Sequence, residues 1–393
     1  MSPRTESPHA RRGAGFTQTV FSEFSALAMK HAAVNLGQGF PDFDGPPQVL
    51  EAAQRAIRDG VNQYAISTGL VALRRAIAVH NERFYGLAVD ADTMVTVTSG
   101  ATEALIDALL GLVDPGDEVV LFEPAYDCYA AGVTLAGGVA KYVTLRPPDA
   151  THGAWWYEPA ELEVAFSART KLVLLNTPHN PTGKVFTVPE LEHLAALCER
   201  FDALLLSDEV YEHIVFSGAR HVRAASVAGL GPRTLTVSSA GKTFSVTGWK
   251  VGWVIAPPKL RHAVQQVHQF VTFATCSPMQ VAIAEALALE DGFFAELARS
   301  YEQKRDLLVS ALEAAGLTPF QPQGSYFVIA DGTRLGFGDD FALCRSLTAE
   351  AGVAAIPVSA FMRGAPGARQ LARFAFCKTE PVLQEAARRL GKL

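Results

Sequence analysis

The chain has 393 residues, 49% hydrophobic and 19% charged, with a formal net charge of −6 from 34 basic and 40 acidic residues. This is a globular composition, and the length allows one large core plus a smaller one, since single cores stop growing at roughly 250–300 residues. A mildly acidic chain without a long basic block argues against nucleic acid as its main partner, and no apolar run reaches the ~18 residues of a membrane span.

Residues 1–15 are polar and punctuated by glycine and proline, and read as a loose tail. Phe21, Phe24 and Ala28 have helical spacing, and a loop follows at Gly37-Gln38-Gly39-Phe40-Pro41-Asp42. From 46 to about 290, strand-like and helical runs alternate. Strands are predicted at Met94–Thr98, Glu118–Phe122, Lys171–Leu175, Ala203–Leu206, Thr234–Val237 and Val251–Ile255. Helices are predicted at Ala101–Val113, Ala125–Leu135 and Pro189–Arg200. Near-continuous apolar strands between helices indicate a mostly parallel sheet covered on both faces. Beyond 290 the pattern changes. A long amphipathic run over Phe293–Ala315 precedes the stretch Gly324-Ser325-Tyr326-Phe327-Val328-Ile329; then come a helix over Asp340–Gly352, strands at Val353–Pro357 and Leu371–Phe376, and a last helix over Pro381–Leu390. The expected organisation is a tail (1–15), a segment joining the small domain (16–45), a large domain (46–290) and a small α+β domain (291–393).

Five cysteines, Cys128, Cys198, Cys276, Cys344 and Cys377, are odd in number and form no C-x-x-C, so neither a disulfide framework nor a metal knuckle is indicated. The N-terminus has charge and proline but no apolar signal segment, and the expected compartment is the cytoplasm.

Candidate chemistry gathers where apolar runs end. Leu204-Leu205-Leu206-Ser207-Asp208-Glu209-Val210-Tyr211 ends in an acid, and Ser238-Ser239-Ala240-Gly241-Lys242 ends in an amine. Ligands of open α/β sheets bind at the carboxyl ends of strands. A lysine there can form a Schiff base and a carboxylate can partner a pyridinium nitrogen, which suggests pyridoxal phosphate. Taken singly, Asp208 reads as a helix cap, Tyr211 as a core tyrosine, and Lys242 and Lys250 as surface charge. Ser99-Gly100-Ala101-Thr102-Glu103 has the small residues that let helix N–H groups approach an anion. Arg373 alternates with apolar residues in a strand and could fork onto a carboxylate. Asn180 stands in the turn Asn176–Gly183, whose prolines and glycine are explained by turn chemistry while the amide is not; His179 reads as structural. Metalloprotease, P-loop, nucleophile-elbow and dinucleotide signatures are absent from the sequence.

Together these runs resemble the class I, fold type I pyridoxal-phosphate-dependent aminotransferases from about Phe16 onward. The resemblance is closest to the kynurenine/glutamine transaminase branch and its methionine aminotransferase relatives. It rests on Asn35–Phe43, Asn176–Lys184, Ser207–His213, Ala240–Gly252, Gln323–Phe327 and Ala354–Ser359. It implies a seven-stranded sheet and a homodimer. It implies that Lys242 carries the cofactor and then moves the substrate's Cα proton, and that Asp208 pairs with the ring nitrogen. Tyr211 and Asn180 would bond the ring oxygen, and Tyr126 would stack on the ring. Gly100, Ala101, Thr102, Ser239 and Lys250 would hold the phosphate, joined by Tyr64 across the dimer interface. Arg373, Asn180 and the Gly39 backbone would bind the substrate carboxylate, and Phe21 and Phe273 would line an apolar pocket.

Lysine at 250, where aspartate aminotransferases carry arginine, favours the kynurenine/glutamine branch. No second arginine can be placed for a side-chain carboxylate. The expected reaction is therefore transfer of the amino group of methionine, phenylalanine, kynurenine or glutamine to a 2-oxo acid. A cysteine-S-conjugate β-lyase and an N-succinyldiaminopimelate aminotransferase are alternatives on the same scaffold. A pyridoxal-phosphate-binding regulator is remote, because some fifteen residues ahead of the match are too few for a helix-turn-helix domain.

Overall fold

The apolar runs of the first two thirds of the chain build one twisted sheet. The computed structural model describes residues 10–13, 15, 16, 19–363 and 370–392. Its strands are β1 (Val95–Thr98), β2 (Glu118–Glu123), β3 (Val139–Thr144), β4 (Thr170–Asn176), β5 (Leu204–Asp208), β6 (Thr234–Ser239) and β7 (Gly252–Ile255). They lie in the order β1-β7-β6-β5-β4-β2-β3. Neighbours are parallel except at β7, which runs antiparallel to both β1 and β6. Every residue of β1, β2, β6 and β7 is buried. Such two-sided burial is why these strands read as apolar runs rather than alternating ones. Edge strand β3, Val139-Ala140-Lys141-Tyr142-Val143-Thr144, is partly exposed and interrupted by Lys141, so its pattern alone did not predict a strand.

Helices on the two faces close the core. Those used below are α1 (Val20–Lys30), α2 (Gly100–Leu112), α3 (Asp127–Ala136), α4 (Pro258–Val271), α5 (Ser277–Leu287) and α6 (Asp291–Ala314). β4, β5 and β6 end at Asn176, Asp208 and Ser239, and α2 begins just after the end of β1, all at the same edge of the sheet. Because β7 is antiparallel, its first residue lies at that edge too. Lys250, two residues ahead of β7, is thereby delivered to the place where the parallel strands finish.

The C-terminal part forms a second sheet, of β8 (Thr318–Phe320), β9 (Phe327–Asp331), β10 (Ile356–Pro357) and β11 (Leu371–Ala375), antiparallel in the order β10-β11-β9-β8. The 24-residue α6 buries Tyr301, Leu308 and Leu312 in a core shared with Phe24 of α1, Leu36 and Phe374.

Two expectations are corrected. The helix predicted over 340–352 is α-helical only over Asp340–Ser346; a π-helical turn then runs through Leu347–Ala351 to Gly352, whose φ of 71° ends it. The strand predicted over 353–357 is split, because Val353–Ala354 pairs with Val34–Asn35 while Ile356–Pro357 pairs with β11. In the stretch from Gly324, Ser325 sits at φ 62° and turns the chain, and β9 begins at Phe327. The predicted tail lies mostly outside the described residues, although Arg11–Gly13 forms a 3₁₀ turn. Among the described residues no helix is long and apolar enough to cross a membrane.

Candidate active site

The carboxyl edge of the large sheet opens into a cavity of about 300 Å³. Phe21, Gly39, Gly100, Ala101, Thr102, Tyr126, Asn180, Asp208, Tyr211, Ser239, Lys242, Lys250 and Arg373 all line it. Residues distant in sequence, singled out separately, thus meet in one place. Tyr64 and Phe273 do not line it. They pack edge to face on each other, ring centroids 5.4 Å apart, at an exposed surface.

Asp208 is the last residue of β5 and is almost fully buried. Its Oδ2 accepts a 2.8 Å hydrogen bond from the Tyr129 hydroxyl. Burial pushes the carboxyl up to about 6, while the Tyr129 bond, the Val210 N–H and the Lys242 charge act against the rise. Lys242 lies in the short helical turn after β6. Burial lowers its pKa; Cys377 and Asp208 pull the other way, and Lys250 and Arg373 add to the lowering. Its Nζ lies 5.9 Å from the centroid of the Tyr211 ring and 5.8 Å from that of Tyr326. A half-buried amine beside two aromatic rings, its pKa lowered by its surroundings, can act as a nucleophile and as a base.

The turn from β1 into α2 brings backbone to the cavity wall. Gly100 has φ 77°, and a Cβ there would lie 3.1 Å from Lys250 Nζ. A Cβ on Gly252 would lie 2.5 Å from the Gly100 carbonyl carbon and 2.7 Å from the Ala101 nitrogen. Both glycines are therefore required for the close approach of β7, Lys250 and the start of α2. Lys250 itself has φ 54°. A left-handed conformation at a non-glycine residue costs about 1–2 kcal/mol and is held here by the surrounding packing. The result is a helix N-terminus facing an ammonium group, a ready anion site.

Arg373, in the middle of β11, is 1% exposed. Its Nη1 donates to Asn180 Oδ1 at 3.1 Å and its Nη2 to the Gly37 carbonyl at 2.7 Å. The guanidinium carbon lies 4.2 Å from the Phe327 ring centroid, 5.0 Å from that of Phe361 and 5.2 Å from that of Phe21. Burial lowers its pKa to about 10, which leaves it charged at neutral pH. The Asn180 N–H donates to Asn176 Oδ1 at 2.6 Å, and Asn176 Nδ2 donates to the Asp208 carbonyl at 2.9 Å. A chain of hydrogen bonds therefore links the guanidinium to the acid strand.

Pyridoxal phosphate fits these residues. Arg373 Nε is buried without a hydrogen-bond partner, and Lys242 makes no ion pair among the described residues. The glycine-lined helix start supplies N–H groups beside a cation. A buried cation without a carboxylate is costly by itself, so such an arrangement is completed by an anionic ligand. Sequence reasoning missed Tyr129, Asn176 and Tyr326, whose hydroxyl donates to the Gly39 carbonyl at 2.6 Å. Tyr129 falls one helical turn after Tyr126, a spacing that would have placed both on the same face of α3.

Comparison with known proteins agrees with the geometry. Residues 32–390 match the family model for aminotransferase class I and II. The chain is 44% identical over 386 residues to a probable N-succinyldiaminopimelate aminotransferase of Mycobacterium tuberculosis, covering 96% of each chain. It is 44% identical over 375 residues to the methionine aminotransferase of Escherichia coli, covering 95% of this chain and 96% of that one. A solved structure of the M. tuberculosis N-succinyldiaminopimelate aminotransferase superposes with a TM-score of 0.94 at 44% identity, over 98% of this chain and 99% of that one. With an amine, a buried acid and an anion cradle brought to one sheet edge, and with this likeness along nearly the whole length, the chain belongs to the class I and II aminotransferases and is a pyridoxal-phosphate-dependent enzyme of fold type I.

Proposed function

We propose that this aminotransferase moves the α-amino group of large apolar or aromatic amino acids, of the methionine, phenylalanine, kynurenine or glutamine type, to a 2-oxo acid. The observation that carries the reading is the charge inventory of the cavity. Among the described residues Arg373 is its one guanidinium, and the other cations, Lys242 and Lys250, are in this reading taken up by the cofactor. Phe21, Phe40, Tyr126 and Phe327 also line the cavity. A substrate with a single carboxylate and an apolar side chain satisfies that wall; a second carboxylate would be buried without a partner.

The roles proposed follow from position. Asp208, last on β5, holds a proton on the ring nitrogen. Tyr211 and Asn180 hydrogen-bond the ring oxygen, and Tyr126 covers a ring face. The Gly100–Thr102 backbone, Ser239 and Lys250 hold the phosphate. When bound there, the cofactor supplies an aldehyde that accepts amines and a ring that takes up the electron pair left when Cα loses its proton. Arg373 and Asn180 clamp the α-carboxylate, with the Gly39 backbone beside it, which fixes how the Cα–H bond is presented. The Lys242 amine, relieved of part of its charge by burial, takes the Cα proton and returns it.

Five free cysteines suit a reducing cytoplasm. The proposed domain division is 16–45 and 291–393 for the small part and 46–290 for the large. A homodimer accounts for the surface around Tyr64 (84% exposed), Phe270 (85%) and Phe273 (48%). A partner chain would cover these rings and receive Tyr64 at its phosphate site, with Phe273 beside it.

The test is an amino-donor by oxo-acid panel on the loaded enzyme. Methionine and aromatic donors should exceed aspartate and glutamate by at least about tenfold in kcat/KM, the scale of one unpaired buried carboxylate. A preference for N-succinyldiaminopimelate, the substrate class in one relative's name, would replace this reading. Pyruvate and ammonia from a cysteine S-conjugate without oxo acid would add β-lyase chemistry, which begins from the same Cα proton.

A further inference from the structure

Behind the helix start of the cavity lies a buried ionic cluster. His268, in the last turn of α4, is 0% exposed. Its Nδ1 lies 2.9 Å from Glu103 Oε1 and 3.7 Å from Asp107 Oδ2. Its Nε2 donates to the Ser67 carbonyl at 2.8 Å. Glu103 and Asp107 stand one turn apart on α2, and the other Glu103 oxygen accepts the N–H of Ser99, the residue capping that helix. Both Asp107 oxygens are buried without a hydrogen-bond partner, so His268 is the charge that faces them. Burial alone would discharge the ring, but the two nearby carboxylates, Asp107 and the hydrogen-bonded Glu103, outweigh it and hold the imidazolium to about 9.

The placement gives this charge a task. Glu103 directly follows Ala101 and Thr102, whose backbone lines the cavity. A carboxylate in the first turn of a helix is favourable in an empty helix. It competes with a second anion bound to the same N-terminus. Two acids left uncompensated on α2 would repel a doubly charged phosphate across a few ångströms of protein, where charges are poorly screened. The Ser67 carbonyl also belongs to the stretch that carries Tyr64, which Gln265 Nε2 holds further at Ser67 Oγ, 2.6 Å away.

We infer that His268 is a positioning residue for the cofactor's phosphate: its imidazolium offsets part of the negative charge of the acidic pair behind the cradle and ties the Tyr64-bearing stretch to the start of α2. This rests on the reading of the Gly100–Thr102 backbone and Lys250 as the phosphate site.

The experiment compares pyridoxal phosphate with pyridoxal, which has the same ring and aldehyde and no phosphate, binding to the cofactor-depleted full chain. His268→Gln should weaken pyridoxal phosphate about tenfold while pyridoxal changes by less than about twofold, and adding Glu103→Gln should restore the phosphate ligand. Equal weakening of both ligands would reveal a merely structural role and overturn the inference, as would no weakening. Should His268→Gln not fold, Glu103→Gln alone serves. It should tighten pyridoxal phosphate about threefold relative to pyridoxal, and an unchanged ratio would overturn the inference. Lys250→Gln separates the two readings. If it lowers the preference for the phosphorylated ligand and His268→Gln does not, only the role of His268 falls; if neither does, the phosphate site itself is misplaced. An equivalent of bound divalent metal that disappears in His268→Gln would make the cluster a metal site and overturn the ion-pair reading.

Discussion

The two sides of the turn that follows β5 treat charge in opposite ways. Asp208 and Tyr211 face the cavity, whereas Glu209 and Glu212, each one residue further on, face away from it. On the far side every carboxylate oxygen is taken. Glu209 accepts from Ser207 Oγ at 2.8 Å, the Ala224 N–H at 3.2 Å and His221 Nε2 at 2.7 Å. Glu212 accepts from Ser238 Oγ at 2.5 Å, the Tyr85 hydroxyl at 2.6 Å and Arg223. On the cavity side, Arg373 is a buried and Lys242 a half-buried cation, neither with a carboxylate partner among the described residues, and Asp208 has one side-chain donor. Perturbed protonation marks both sides: burial opposes charge on Glu212, yet Arg223, His213 and His80 leave it well below the usual carboxylate range. Whether a buried charge faces an opposite charge, rather than the size of a shift, separates the two sides: Arg223 has Glu209 and Glu212 beside it, and Arg373 has no carboxylate partner among the described residues.

That contrast is sharpest at Lys242. Lys242→Ala should lower transamination by about ten-thousand-fold or more, since it removes both the nucleophile and the proton carrier. Steady-state turnover of the loaded protein measures this, and retained turnover would remove Lys242 from the chemistry. Asp208→Asn should lower kcat by about a hundred- to a thousand-fold, the range found when one preorganised electrostatic partner is lost. A change confined to KM would show instead that the acid serves binding. Arg373→Lys keeps the charge and loses the fork, and should raise KM for the amino donor about ten- to a hundredfold with a smaller change in kcat. An unchanged KM would move the carboxylate site elsewhere.

The opposite signature is expected across the turn. Arg223→Met leaves Glu212 buried without its cation and should destabilise the fold by about 3–5 kcal/mol, the cost of breaking a buried pair. KM and kcat of the molecules that remain folded should stay within about twofold of the parent, because the far side touches no substrate. A fall in turnover without a fall in Tm would erase the distinction between the two sides.

How much of this could be read beforehand depends on where each residue stands. Asp208, Lys242 and Asn180 end or follow buried apolar strands, so local pattern brings them to the sheet's ligand edge. The parallel sheet was legible for the same reason: two-sided burial leaves an apolar run. Edge strand β3 was not, since exposure admits Lys141 and dilutes the run. The division of Val353–Pro357 between two sheets depends on pairing with Val34–Asn35, more than three hundred residues away, which no local pattern carries. Tyr129 and His268 were hidden similarly. Each is an ordinary helix residue in sequence, and its partner, Asp208 or Glu103, arrives only through tertiary packing. The place of Tyr64 and Phe273 at an exposed surface outside the cavity is likewise not carried by one chain's periodicity.

The central claim is that one half-buried amine, Lys242, which makes no ion pair among the described residues, is where this enzyme carries its cofactor. Borohydride reduction of the pyridoxal-phosphate-loaded protein, followed by peptide mass mapping, tests it directly. The account predicts a single stable phosphopyridoxyl adduct on Lys242 and none on Lys250. An adduct chiefly on another lysine, or a loaded protein that yields no adduct, would contradict it.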